Sequence, residues 1–490
     1  MDKPTLSLSS GGWKSARIIL GVEMAEQFAF YGISSNLITY LTGPLGESTA
    51  AAAANVNAWT GTVSFLPLLW GFIADSFLGR FRTILIASSL YILGLGLLSF
   101  SAMAPSNSKD PNQLQVILFF FSLYLIAIGQ GGYKPCIKVF GADQFDGNDL
   151  KEAKAKSSFF NWLMFGSFVS ILTTRLVSSY IQEYLIWSLA FGIPSVSMLL
   201  ALLLFLLGTK TYRFSTARGG KKNPFARISR VFVEAAKNRR QQDLDIYNPN
   251  ETLLLLADQS SKKFRFLDKA AISCSFAEIE EAKAVLKLVP IWLTCLVYAI
   301  VCAQSHTFFT KQGAKMDRSI SPGLLVPAAT LQLFYKPYNG ITMLQRIGIG
   351  IFLSILAMVV AALVDTKRIQ TAHDDVTILM SVWWLVPQYV LYGVSDVFML
   401  GLQEFFYDQV PSELRSVGMA LNLSIYGVGN FLSSFMISII DKITSWFDND
   451  LNQAHLDYFY WLLACLSSIG LASYSWFAKS SPHSKHIVSS

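Results

Sequence analysis

The sequence predicts an all-α protein that crosses a membrane many times, and three observations carry that expectation. Of 490 residues, 52% are hydrophobic and only 14% are charged, whereas a soluble domain carries about 25% charged residues. The mean hydropathy is +0.43. The apolar residues fall in long blocks, each able to cover the roughly 30 Å of a bilayer core, and none alternates as a β-barrel strand would.

Eleven such blocks follow one another. Six come first, at residues 18–41, 58–78, 84–104, 114–133, 159–181 and 186–207. Five more follow a polar interval, at 285–310, 347–364, 378–402, 417–440 and 458–477. The first block is too long for the core of a cleaved signal peptide, so it is expected to act as its own insertion signal. Five scattered cysteines, Cys136, Cys274, Cys295, Cys302 and Cys465, propose neither a disulfide framework nor a zinc site.

The net charge of +7 is concentrated. Residues 209–283 hold 15 basic and 9 acidic side chains. Nucleic-acid binding is one reading of a basic stretch, but between apolar spans a cytoplasmic loop obeying the positive-inside rule is the simpler one. Arg80, Arg82, Lys151, Lys154 and Lys156 lie in short loops of the same side, which places the N-terminus inside.

The expected organisation is an N-terminal bundle over 1–208, a basic linker over 209–283, a C-terminal bundle over 284–479 and a tail over 480–490. Within the linker, Phe225, Ile228, Val231, Phe232 and Ala235 recur at helical spacing, with Arg227, Arg230, Arg239 and Arg240 around them. An amphipathic helix lying on the membrane surface fits that pattern, as does a solvated linker. Residues 238–268 read as flexible, and 275–287 as a helix leading into the seventh span.

Two carboxylates in the first span demand explanation. Glu23 and Glu26 are three residues apart and share a helix face. An ionised side chain in hydrocarbon costs several kcal/mol, so both are expected to face an interior where they can carry a proton or bond a neighbouring helix. The loop Gly71-Phe-Ile-Ala-Asp75-Ser-Phe-Leu-Gly79-Arg80-Phe-Arg82 reads as a gate: Asp75 to cap a helix start and pair with an arginine, Gly71 and Gly79 for close approach and a tight turn.

That loop, after the second span, resembles the signature loop of the major facilitator superfamily. Glu23-Met-Ala-Glu26-Gln27-Phe-Ala-Phe-Tyr31-Gly32, Gly129-Gln-Gly-Gly-Tyr-Lys134-Pro135-Cys136, Gly141-Ala-Asp143-Gln144-Phe145-Asp146 and Gln403-Glu404-Phe-Phe-Tyr-Asp408-Gln-Val-Pro411 narrow the resemblance. They are similar to the plant nitrate/peptide transporter family, the plant branch of the proton-dependent oligopeptide transporters. The resemblance implies a major facilitator fold of two six-helix bundles and a proton-coupled symporter of a small solute, whether nitrate, a peptide or another anionic or zwitterionic metabolite. It implies a multi-pass protein of the plasma membrane or vacuolar membrane of a plant cell, with the lipid bilayer, a small-molecule substrate and protons as partners, no nucleic acid and no cofactor.

By the same resemblance Glu23, Glu26 and the next position, Gln27, form the proton-coupling motif. The family places a basic residue where this chain has Gln27, so the carboxylate pair has to find its counter-charge elsewhere. Lys134 is the expected cation, and with Glu404 from the other bundle it is expected to bind substrate and form a gating pair. Tyr31 and Gln304 are expected to line the same site. Cys302 stands where a nitrate-carrying branch has histidine.

The resemblance breaks once. The start of the family's eighth helix is present and the rest is truncated, leaving a short segment at 322–336. Its apolar part, 324–335, would reach about 18 Å as a helix, against about 30 Å of hydrocarbon. Losing one crossing would invert every later helix. Either the short segment crosses with help from 336–342, or the second bundle is defective and the chain is a non-transporting sensor or an interfering partner of full-length relatives. No Walker A loop, His-Glu-x-x-His or Gly-x-Ser-x-Gly is present, and the five histidines lack ligand spacing. An enzyme is not expected.

Overall fold

The computed structural model describes residues 11–103, 113–146, 149–178, 181, 187–214, 224–238, 264–317, 319–321, 324–325, 343–374, 380–410 and 415–480. Among the described residues the long helices of the two bundles are eleven: α1 (Gly12–Ser34), α2 (Thr49–Ile73), α3 (Arg80–Ser101), α4 (Gln113–Ala142), α5 (Leu150–Thr173), α6 (Trp187–Leu207), α7 (Phe276–Ala303), α8 (Met343–Asp374), α9 (Val386–Asp408), α10 (Arg415–Ile443) and α11 (Leu456–Ser480). Ten of these segments are long and apolar enough to span a membrane. The other is α1, which carries Lys14, Arg17, Glu23 and Glu26. On α6, Leu199, Leu200, Leu203, Leu204 and Leu207 are all exposed, as a lipid-facing stripe should be.

Local sequence sets the helix starts. Ser48 Oγ accepts the Ala51 N–H ahead of α2, and Asp149 accepts the Lys151 N–H ahead of α5. At α7, Ser275 and Glu278 form a reciprocal capping box.

Three apolar clusters order the helices. One joins both bundles at one end: Ala29 and Ile33 of α1, Leu95 and Leu98 of α3, and Phe119 of α4, together with Val301, Ala361, Leu385 and Ile437 of the second bundle. At the opposite, basic end the bundles have separate clusters. Ile19, Ile84, Ile137, Phe159 and Phe205 form one; Leu288, Ile347, Leu402, Val417 and Tyr474 form the other.

These clusters fix the direction of every helix. Helix α7 runs from Leu288 at the basic end to Phe308 and Phe309 just beyond it at the far end. Helix α8 runs the same way, from Ile347 to Ala361. At the far end Gln312 Nε2 donates to Asp365 Oδ1 (3.2 Å), and Asp317 exchanges backbone hydrogen bonds with Met380 and Val382. Helices α7 and α8 are therefore parallel, and the later helices are not inverted. The return to the basic end falls between Ala314 and Met343. There the structure departs from the expected short helix: Ser319–Ser321 and Leu324–Leu325 pair as an antiparallel two-stranded hairpin. The remainder of that segment, residues 318, 322–323 and 326–342, lies outside the described residues.

The linker carries the expected helix, at Pro224–Lys237. Part of its apolar face packs on protein: Val231 and Ala235 lie against Leu267, Ala270, Cys274, Ile279 and Ala282. Arg227 pairs with Glu281 at 3.3 Å. The stretch read as flexible falls mostly on 239–263, outside the described residues, as does the tail from 481 onward.

Candidate functional site

The candidate site is built where α1 and α4 cross. Close approach of α4 to α3 depends on Gly129, where a Cβ would stand 2.6 Å from the Tyr91 nitrogen and 2.8 Å from the Ala87 oxygen. The next residue, Gln130, is thereby carried into the bundle interior, and its Nε2 donates to Glu26 Oε1 at 2.9 Å. Two turns further along α4, Lys138 Nζ lies 3.5 Å from Glu23 Oε1. Gln27 Nε2 donates to the same oxygen at 3.1 Å.

Glu23 and Glu26 are both buried. Each uses one carboxyl oxygen in these contacts. The other oxygen of each, Oε2, is buried with no hydrogen-bond partner among the described residues. A buried carboxyl with only half its bonding capacity used is a group from which a proton can be taken or to which one can be given.

The structure distributes the remaining expected residues unevenly. Lys134 lies within electrostatic reach of both α1 glutamates, while the ion pair within 4 Å among the described residues is Lys138 with Glu23. The Lys134 ammonium also sits over the Phe30 ring, 5.6 Å from its centroid. Tyr31 takes the Arg175 guanidinium over its ring face, also at 5.6 Å. Gln304 is fully buried, with its Nε2 donating to Ile300 O (2.8 Å) and Ser433 Oγ (3.0 Å). Asn57 of α2 donates to the same Ser433 hydroxyl at 3.0 Å, so Gln304 helps to lock α7 and α10 against α2. The Glu404 side chain lies outside the described residues, and with it the expected gating pair.

At the basic end, Gly79 has φ of 75°, a left-handed turn that favours glycine, and α3 begins immediately after it. Asp75 lies inside a π-helical turn (Ala74–Leu78) that closes α2, not at a helix start, and its side chain is outside the described residues. Gly71 sits in the last turn of α2 with open space around it. Arg80 forms an ion pair with Asp143 at the end of α4, while Arg82 is exposed. The loop at 71–82 is thus tied to the end of α4 by Arg80. Glu152 accepts hydrogen bonds from the Asp146 backbone N–H and from Arg213, and these hold its carboxyl below the usual glutamate range.

Sequence reasoning missed two features. Lys138 is one helical turn beyond Lys134, and nothing in the spacing decides which of the two faces Glu23. Arg175 carried a usable signal, since an arginine inside an apolar span calls for an interior role.

A family model described as the POT family matches residues 81–336 and 334–454. The chain belongs to that family: it is a multi-pass integral membrane transporter with a major facilitator fold, not an enzyme. Among its relatives, the Arabidopsis thaliana protein NRT1/PTR family 5.11 is 75% identical, over 97% of this chain and 95% of the relative. NRT1/PTR family 5.10 of the same plant is 61% identical, over 98% and 94%. Among solved structures, the in meso crystal structure of the POT family transporter PepTSo superposes with a TM-score of 0.74 at 21% identity, covering 95% of this chain and 98% of that one. An auto-inhibited POT family peptide transporter gives 0.72 at 22% identity, covering 95% and 97%. The family match comes in two stretches that meet at residues 334–336. The alignment with NRT1/PTR family 5.11 spans 510 positions, more than the chain's 490 residues, so the chain carries gaps against that relative.

Proposed function

We propose that the chain is a proton-coupled secondary transporter of a small peptide, nitrate or another anionic or zwitterionic solute, working by alternating access. The observation that carries this reading is the buried Glu23–Glu26 pair, each with an unbonded carboxyl oxygen and a polar partner from α4. Lys138 is read as the counter-charge that Gln27 cannot supply. The cluster that joins the bundles at one end, against separate clusters at the basic end, supports a conformation closed on the far side and parted on the cytoplasmic side. The parallel course of α7 and α8 supports this reading over a non-transporting partner, because the second bundle keeps the helix directions a transporter needs.

The test is uptake into liposomes holding the purified chain, with the pH gradient and the membrane voltage set independently. Accumulation of nitrate or of a dipeptide that follows the proton gradient, and disappears in Glu26→Gln, is expected. Uptake indifferent to both gradients would sink the coupling, and no uptake of either solute would sink the transport reading.

A further inference from the structure

The two bundles meet along a seam between α2 and α10. These helices run antiparallel, and their contacts step along the two chains in opposite order. At the far end the Thr49 N–H donates to Asn449 Oδ1, just past α10, at 3.1 Å. Two turns into α2, Asn57 Nδ2 donates to Ser433 Oγ at 3.0 Å. One turn further the helices touch backbone to backbone: a Cβ on Gly61 would stand 3.0 Å from Gly427 O. Small residues let helices in a membrane approach this closely.

That crossing stands where the packing changes. On α2, the buried members of the cluster shared by both bundles end at Val63, two residues past Gly61. On α10, the buried members of the second bundle's own cluster end at Ile425, two residues before Gly427. Farther out, Ile437 and Ile440 of α10 belong to the shared cluster. Within the second bundle α10 is seated firmly on α7, since a Cβ on Gly429 would stand 2.3 Å from Ala299 Cβ. Gln304, at the end of α7, donates to Ser433 Oγ at 3.0 Å. The Ser433 hydroxyl is therefore held by its own bundle while it accepts from Asn57 of the other.

We infer that the Gly61–Gly427 crossing is a pivot on which the bundles turn, and that Ser433, bonded to Asn57, is the latch that holds their far side shut. The inference rests on the transporter reading and adds to it where the motion is hinged and what must let go. A rigid-body rotation needs one contact that survives it, and two backbones packed without side chains have no interdigitated groups to pull free. Asn57 and Ser433 lie four and six residues farther out, about 6 and 9 Å along their helices, so a turn about the crossing separates them. A neutral hydrogen bond of this kind biases an open–closed equilibrium by about two- to twelvefold. It favours the closed state without freezing it. Both groups regain water as they part, so opening leaves no buried donor stranded.

The experiment times the reaction of a cysteine at the far mouth. Thr49 is buried there, so Thr49→Cys is placed in the purified full chain and its alkylation by a maleimide is followed in detergent. The same chain without Thr49→Cys is subtracted to remove the native cysteines. Adding Ser433→Ala should speed the reaction about two- to twelvefold. Asn57→Ala should do the same, and the two together should add little to either, because one bond is lost in every case. Gly61→Ala crowds the pivot without touching the latch, so it should slow liposome uptake and leave the labelling rate unchanged. Unchanged labelling in Ser433→Ala overturns the latch, as do additive effects of the two latch substitutions. Labelling raised by Gly61→Ala as far as by Ser433→Ala overturns the pivot. If Ser433→Ala does not fold, Asn57→Ala decides. If Gly61→Ala does not fold, Gly427→Ala decides, since its Cβ would meet nothing closer than 3.3 Å. Faster labelling in Ser433→Ala, with no uptake by the wild type, leaves the latch standing and removes the transporter reading. Proton-driven uptake with labelling indifferent to Ser433 does the reverse.

Discussion

Two buried acidic centres in this molecule are wired in opposite ways. In the second bundle, Asp365 is fully buried and both of its oxygens are bonded. Oδ1 accepts from Arg368 Nε (2.8 Å) and Gln312 Nε2 (3.2 Å), and Oδ2 accepts the Asp457 backbone N–H (3.1 Å). Arg368 in turn donates to Leu451 O and Asn452 Oδ1. In the first bundle, Glu23 and Glu26 are just as buried, yet each leaves an oxygen unbonded among the described residues. The cost of burying charge is met in full at one centre and in part at the other. The first arrangement fastens α8 and α11 to Gln312 in the segment that follows α7. The second leaves two carboxyl oxygens open inside the bundle. Burial alone therefore does not tell Asp365 from Glu23 and Glu26; the bonds left open on each carboxyl do.

That contrast can be broken by mutation. Asp365→Ala should be the most damaging change, because it strands the Arg368 charge in the interior. A loss of about 3–5 kcal/mol is expected, read as a collapse of the thermal unfolding midpoint in detergent and poor recovery of folded protein. Glu26→Gln should cost about 1 kcal/mol or less in stability, since Gln130 retains a hydrogen-bonding partner, while proton-driven uptake is lost. Equal destabilisation by the two substitutions would mean that both centres are structural.

Smaller effects sharpen the picture. Lys138→Gln removes the cation beside Glu23, and because Lys138 is partly exposed the stability change should stay below about 1 kcal/mol. Uptake should slow, and the added substitution Gln27→Arg should restore it by returning a base to the adjacent helix turn. Failure of that rescue would separate Lys138 from the coupling step. The smallest effect concerns Glu152 at the basic end. Its folded-state pKa is lowered, so its contribution is present at neutral pH and is lost as pH falls below the ordinary glutamate value of 4.5. Glu152→Gln should flatten that part of the stability profile and leave the neutral-pH unfolding midpoint within a few degrees of wild type.

Much of the fold was legible in the order of residues. Long apolar blocks forecast the spanning helices because hydrocarbon imposes both their length and their composition. The motifs around Glu23, Asp75, Lys134 and Glu404 pointed to the transporter family for a related reason: helix crossings and gates need particular small and charged residues at fixed spacing. Glu23 and Glu26 were legible as interior groups, since charge cannot face lipid cheaply. Lys138 was not, because α4 presents Lys134 and Lys138 a single turn apart, and only the crossing with α1 selects between them. Arg175, Asp365 and Arg368 sit inside apolar spans, but their partners lie on other helices.

The sequence by itself determined the solvent this chain folds in, the positions of its spans and its family, all of which follow from local composition and spacing. Only the tertiary structure decided that α7 and α8 run parallel, that the linker helix lays part of its apolar face on protein, that Lys138 serves Glu23, and that Asn57 of one bundle meets Ser433 of the other. Each of those outcomes depends on which faces of distant helices meet, and a linear order of residues carries no distances between them.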